Sequence, residues 1–322
     1  MQSNLNPHES GHNRTMAGDR ATAETSVERF IGTEVHAAKD LLAVEEPMEC
    51  QLAFGPSDQR IIKSISVTMR TPGHDFDLAA GFLMTEGVVR DSSDIARISY
   101  ATGSPSPKEG SPEERLDPVA WPYQPERNIV RVELEPDVSV SLANLQRNFY
   151  TTSSCGICGK ASLLALRTVC PPRAKNEFRV AAELLYSLVA RLRDAQNVFE
   201  RTGGLHASGL FDGSGRLFSS REDVGRHNAV DKLLGAEFLA DRTPLRERLL
   251  LLSGRASFEL LQKALMGGIP MVVSVGAPSS LAVQVAKDFD ITLVGFLRTD
   301  HFNVYHGADR IIGSQANKGS NT

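Results

Sequence analysis

A chain of 322 residues, 41% of them hydrophobic, can build a substantial core in one or two domains. Its net charge of −4 leaves no basic footprint for duplex nucleic acid, and four cysteines are too few for a disulfide scaffold. No stretch approaches the roughly 20 apolar residues of a membrane span, and residues 1–30 hold no run suited to a signal peptide, so a cytoplasmic protein without nucleic-acid or membrane partners is expected.

Residues 1–34 are polar and rich in Ser, Thr, Asn and His, which predicts a disordered tail. Residues 35–150 read as a small α+β domain. Strands at 48–54 and 61–69 flank the turn Gly55-Pro56-Ser57-Asp58. Phe76, Leu78, Ala79, Phe82 and Leu83 recur at helical spacing and predict a helix over 75–86. Further strands are expected at 130–134 and 138–142. Ahead of both, residues 103–128 carry six of the sixteen prolines together with Ser, Glu and Gly, an inserted loop.

Residues 151–313 read as an α/β domain, followed by a flexible tail over 314–322. A helix over 161–169 is stopped by Cys170-Pro171-Pro172, and a longer one over 180–198 buries Leu184, Leu185, Leu188, Val189 and Leu192. Strands at 205–211 and 216–219 flank the hairpin turn Asp212-Gly213-Ser214-Gly215, and a helix follows over 226–239. Then strands at 249–252, 271–275 and 291–297 alternate with helices at 258–266 and 281–289. That order predicts a mixed sheet with a parallel βαβαβ C-terminal part and right-handed crossovers. It also collects the loops Ser253-Gly254-Arg255, Gly276-Ala277-Pro278-Ser279 and Arg298-Thr299-Asp300-His301 on one edge, where open α/β sheets bind ligands. Two arginines, Arg255 and Arg298, and the helix-capping Ser279 or Ser280 make that edge suited to an anion.

Chemistry concentrates in Ser154-Cys155-Gly156-Ile157-Cys158-Gly159-Lys160. Both thiols precede an expected helix start, whose free N–H groups favour a thiolate, and Lys160 adds positive charge. The same spacing also fits half a zinc site, a redox pair or two buried small side chains. A four-thiolate zinc site would need a second such pair, and Cys50 and Cys170 are isolated. A second polar cluster joins Thr202-Gly203-Gly204-Leu205-His206 to the run from Arg221 to Lys232. There Asp223 can cap a helix, and His227 and Asp231, four apart, can pair. Zinc-dependent deamination is disfavoured: none of the eight histidines is followed by x-Glu, and Ser154 rather than a proline precedes Cys155.

Taken together, the CxxC run, Thr202-Gly203-Gly204-Leu205-His206, the stretch from Glu222 to Gly235, Ser253-Gly254-Arg255-Ala256-Ser257-Phe258-Glu259 and Thr292-Leu293-Val294-Gly295-Phe296 resemble the FdhD family, in order, over residues 46–313. The resemblance implies a sulfur carrier, or accessory sulfurtransferase, of formate dehydrogenase maturation. Such a protein takes persulfide sulfur from a cysteine desulfurase and delivers it to the molybdenum cofactor, bis-molybdopterin guanine dinucleotide. It implies that Cys155 carries the persulfide, that Cys158 assists, and that Phe296, Leu297, Arg298, Thr299, Asp300 and His301 contact the cofactor, with GDP as an analogue. It further implies a cytidine-deaminase-like core without zinc, and a homodimer. Thr299 and His301 stand where family members often carry Gly and Arg. A thiol–disulfide oxidoreductase and a non-catalytic cofactor chaperone are the competing readings; the first needs no anionic edge, and the second needs no persulfide.

Overall fold

The computed structural model describes residues 20–101, 127–140, 166, 170 and 177–313. The segment with Cys155 and Cys158, most of the expected helix over 161–169, the insertion up to residue 126, residues 1–19 and the tail 314–322 lie outside the described residues.

The chain enters through a hairpin of β1 (Thr22–Ile31) and β2 (Glu34–Ala43), paired antiparallel from Thr22↔Ala43 to Ile31↔Glu34. Residues 22–31 were expected to lack structure, and this is corrected. Val27, Phe30 and Ile31 are good strand formers, Gly32 takes φ +64° at the turn, and the partner strand supplies the hydrogen bonds that polar composition alone did not reveal. Next comes a four-stranded sheet ordered β4-β3-β6-β5, built from β3 (Glu46–Phe54), β4 (Ile61–Arg70), β5 (Ile95–Tyr100) and β6 (Ile129–Leu134). Helix α1 (Asp75–Thr85) packs on it, with Leu78, Ala79 and Leu83 buried. The strand expected at 138–142 does not form over its described part, because a turn in which the Val138 N–H donates to Glu135 O follows β6.

The larger sheet is ordered β13-β12-β11-β10-β8-β9. Its members are β8 (His206–Phe211), β9 (Leu217–Asp223), β10 (Leu249–Leu252), β11 (Met271–Ser274), β12 (Thr292–Gly295) and β13 (Asn303–His306). The three middle strands β10, β11 and β12 run parallel as expected, linked by α5 (Phe258–Met266) and α6 (Ser280–Asp288). The flanking β8 and β13 run antiparallel and make the sheet mixed. Strand β10 shows why a continuous apolar run marks a central strand: Leu250 and Leu252 join the core beneath the helices, while Leu249 and Leu251 join the core on the opposite face. Each fully buried leucine contributes about 1.5–3 kcal/mol over its exposed state.

The single helix expected over 180–198 is instead a short strand β7 (Val180–Ala181), paired with β14 (Ile311–Ile312), then α2 (Ala182–Arg193) and α3 (Asn197–Thr202). Leu185, Leu188 and Leu192 form the buried stripe of α2. The break has a distant cause. The Glu222 carboxylate on β9 accepts from the Val198 and Phe199 N–H groups at 3.1 and 2.8 Å, which holds α3 as a separately capped helix.

Helix α4 (Arg226–Leu239) forms as expected and ties the two sheets together. It crosses α1 at two glycines. A Cβ on Gly81 would lie 1.9 Å from Asp231 O, and one on Gly235 would lie 1.8 Å from Asp77 O. Only glycine permits this backbone-to-backbone approach, and one core cluster accordingly runs from Leu78 and Val130 through Val230 and Leu234 to Leu250 and Val272. Among the described residues no helix is long and apolar enough to cross a membrane.

Candidate functional site

Parallel strands deliver their following loops to one edge, and backbone hydrogen bonds lock those loops together. After β10, the Gly254 carbonyl accepts from Gly276 N–H at 2.8 Å. After β11, Ala277 O accepts from Ala256 N–H at 3.2 Å, and Ser279 caps α6 by accepting from Ala282 N–H at 3.2 Å. After β12, Phe296 N–H donates to Gly276 O at 3.1 Å, and Leu297 N–H to Ser274 O at 3.1 Å. The three loops predicted to meet do meet.

Of the six residues expected to contact a cofactor, Phe296, Arg298, Thr299, Asp300 and His301 are exposed at this edge, whereas the Leu297 side chain is buried in the core with Val273 and Val294. Phe296 holds φ +54°, a region that costs a bulky side chain roughly 1–2 kcal/mol, and it presents 37% of its surface. The exposed ring gives this edge a flat apolar face. Arg298 is braced, since its Nη1 donates to Val275 O at 2.7 Å and to Leu297 O at 2.8 Å. Asp300 pairs with His301 at 2.8 Å on the surface.

Antiparallel β8 begins where β10 ends, with Ser208 opposite Leu252, so His206 reaches the same edge. A Cβ on Gly254 would lie 3.4 Å from His206 Nδ1, so the imidazole lies against the β10 loop. Across the β8–β9 pair, His206 faces Asp223. That carboxylate is fully buried and accepts from Gly225 N–H (2.8 Å), Asn228 Nδ2 (3.0 Å), Thr71 N–H (3.2 Å) and Lys232 Nζ (2.7 Å). It thus fixes the entry of α4, although the N-cap position itself belongs to Gly225. The next two residues, Arg226 and His227, open the helix beside His206.

The expected pairing of His227 with Asp231 does not occur. Asp231 points inward, 2.9 Å from Lys263 Nζ and 2.9 Å from Thr85 Oγ1, while His227 Nε2 lies 3.4 Å from Ser257 Oγ and 3.9 Å from Glu259 Oε2. Helix α4 is buried on nearly every side where it crosses α1, so residues four apart meet different neighbours. Burial, then the Arg226 and Lys263 charges, push His227 down to about 4 against the opposing pull of Glu259. Burial and Arg226 also lower His206 against Asp223. Both imidazoles are therefore neutral at pH 7, beside a permanent cation. Lys263 stays charged despite its burial because Asp231 and Glu86 outweigh the desolvation.

Sequence reasoning missed the inward role of Lys263. Its place on α5 between Leu260, Leu261, Ala264 and Leu265 was the available signal, since a lysine among buried leucines needs a partner. Of the thiols, Cys50 is buried and pushed up to about 12 by that burial, and Cys170 lies partly buried with Sγ 2.9 Å from Met266 Sδ. Burial thus holds Cys50 as a thiol rather than a ready thiolate.

The chain matches the model of the FdhD/NarQ family over residues 49–312. It is 48% identical over 294 residues to a sulfur carrier protein FdhD of Streptomyces coelicolor, covering 91% of this chain and 96% of that one. It is 47% identical over 292 residues to one from Mycobacterium tuberculosis, covering 90% and 99%. A solved structure from Desulfotalea psychrophila, described as a candidate formate dehydrogenase accessory protein, superposes with a TM-score of 0.64 at 21% identity and covers 91% of this chain and all of that one. With a family match spanning most of its length, and relatives of this identity, the chain belongs to the FdhD/NarQ family.

Proposed function

We propose that this protein is a cytoplasmic sulfur carrier that accepts persulfide sulfur from a cysteine desulfurase on Cys155 and passes it to bis-molybdopterin guanine dinucleotide for formate dehydrogenase. The observation that carries the reading is near-full-length identity, 48% over 91% of the chain, to a protein named as a sulfur carrier. In loading, the Cys155 thiolate attacks the outer sulfur of the donor persulfide. The donor's S–S bond breaks, its cysteine leaves as a thiolate, and no net redox change occurs. The Cys158 thiolate can then attack Cys155 Sγ, releasing the outer sulfur as hydrosulfide and leaving a Cys155–Cys158 disulfide for a cellular thiol to reduce.

The geometry supports an anionic, planar acceptor at the sheet edge. Phe296 offers a ring for the guanine, and braced Arg298 offers a guanidinium, which makes GDP the natural probe. Leu297 would contribute backbone only. The reading also carries a cytidine-deaminase-like core and assembly as a homodimer. Mass spectrometry after incubation with a desulfurase and cysteine tests it. One added sulfur on Cys155, trapped in Cys158→Ser and absent in Cys155→Ala, is expected; a Cys155–Cys158 disulfide formed without hydrosulfide release, with no added sulfur in Cys158→Ser, would favour the oxidoreductase, and an unmodified thiol the chaperone.

A further inference from the structure

The two histidines and Arg226 form a cluster that persulfide chemistry at Cys155 and nucleotide contact at Phe296 and Arg298 do not use. Arg226 Nε is buried and has no hydrogen-bond partner among the described residues. A buried donor without an acceptor is costly and rare in native structures, so a group supplied from outside is the economical explanation. His206 stands opposite Asp223 across the β8–β9 pair, three residues before Arg226, and His227 follows Arg226 in the first turn of α4, so the register brings both imidazoles to the side of this donor. The remaining charged neighbours are Asp223 at the end of β9 and Glu259 and Lys263 on α5. Asp223 is already saturated by four donors, and Glu259 is 58% exposed, so neither satisfies the guanidinium. His227 retains 37% of its side-chain exposure, which leaves the cluster open to solvent.

We propose that Arg226, His206 and His227 form a proton-coupled oxyanion site at the carboxyl edge of the large sheet, which takes a phosphoryl-type group and draws in a proton as it binds. The proposal rests on reading this edge as the seat of an anionic substrate. Arg226 supplies a fixed positive charge and the unsatisfied N–H. Each imidazole is neutral in the empty site because burial and the arginine oppose its protonation. A bound oxyanion cancels the arginine's repulsion and accepts from an imidazolium N–H, so protonation becomes favourable on binding. The anion then binds more tightly as pH falls through the range in which the occupied site holds the proton and the empty one does not, by about tenfold per pH unit for each proton taken up.

Sulfate, which does not itself titrate near neutrality, is the probe. Calorimetric titration of the full chain in two buffers of different ionisation enthalpy is expected to show proton uptake near pH 7, and ring-nitrogen NMR is expected to assign the shifting resonances to His206 and His227. Arg226→Gln should weaken sulfate binding at least tenfold, and His227→Gln should reduce both the proton uptake and the rise in affinity on acidification. Absence of sulfate binding, binding without proton uptake, or movement confined to other histidines in the unmodified protein overturns the proposal without recourse to any variant. Because persulfide loading of Cys155 is read separately by mass spectrometry, loading without proton-linked sulfate binding rejects this site alone, and the reverse rejects the carrier reading alone.

Discussion

Replacing Lys263 by methionine removes the cation from a buried junction between α1, α4 and α5. Its Nζ lies 2.9 Å from Asp231, 3.6 Å from Glu86 and 3.0 Å from Thr85 Oγ1, with 7% of the side chain exposed. At an effective dielectric near 20, the closest pair alone attracts by about 6 kcal/mol before desolvation is counted. Most of that offsets the burial of the two ions, but removing one partner strands the other, and such losses run to about 3–5 kcal/mol. Lys263→Met is therefore expected to lose about that much stability in urea denaturation near neutral pH. Burial already raises Asp231 and Glu86, and without Lys263 both rise further. A carboxyl whose folded pKa is raised costs stability as pH climbs through its ordinary value, so the variant's deficit should shrink on acidification. Adding Asp231→Asn, which removes the stranded charge, should recover about 2 kcal/mol. A deficit below about 1 kcal/mol, equal deficits at high and low pH, or strict additivity in the double variant would refute the argument.

Other consequences are equally concrete. Gly235→Ala forces a Cβ to within 1.8 Å of Asp77 O, a backbone atom that cannot swing aside, so α1 and α4 must separate. A loss of more than about 3 kcal/mol is expected by thermal denaturation, and near-normal stability would show that the crossing is looser than described. Arg298→Ala should weaken GDP binding by about 1.5–3 kcal/mol in calorimetry if a charge-assisted bond to the nucleotide is lost, and unchanged affinity would remove Arg298 from the site. His227 is held down to about 4 from an ordinary 6.5. Unfolding therefore takes up a proton between those values, and stability should fall as pH drops through that window. His227→Gln should flatten this part of the acid unfolding curve, and an unaltered curve would contradict the burial argument.

The parallel part of the fold was legible because β10 to β12 and their helices each match one simple period, and topology then dictates which loops share an edge. The convergence of Gly254, Gly276 and Arg298 follows from chain order alone. What escaped depends on partners distant in sequence. The break between α2 and α3 is held by Glu222. Strand β1 was hidden because it is polar enough to read as a tail until paired with β2. The inward turn of Asp231, away from His227, is imposed by the passage of α1, and the only local hint was a glycine in the middle of each helix. Mid-helix glycine is unfavourable unless something must come close. The strain at Phe296 gave no sequence signal, since nothing in Val294-Gly295-Phe296 announces a left-handed phenylalanine.

The edge has two chemically distinct ends, and their spacing constrains what can occupy both. Phe296 and Arg298 follow β12, whereas His206 begins β8, three strand spacings away in the order β12-β11-β10-β8. At roughly 4.8 Å per spacing, that is about 14 Å. A small oxyanion reaches one end only. A nucleoside diphosphate seated by its base at Phe296 can extend its phosphates across the β11 and β10 loops towards Arg226. GDP should then displace sulfate from the histidine cluster, with its own affinity rising as pH falls, while guanosine, which lacks the phosphates, should leave sulfate in place. Competition assays with the full chain decide the matter. Displacement by guanosine would mean that the base occupies the histidine end, and simultaneous binding of GDP and sulfate would mean that the nucleotide never leaves the β12 loop; either result breaks the link between the two ends.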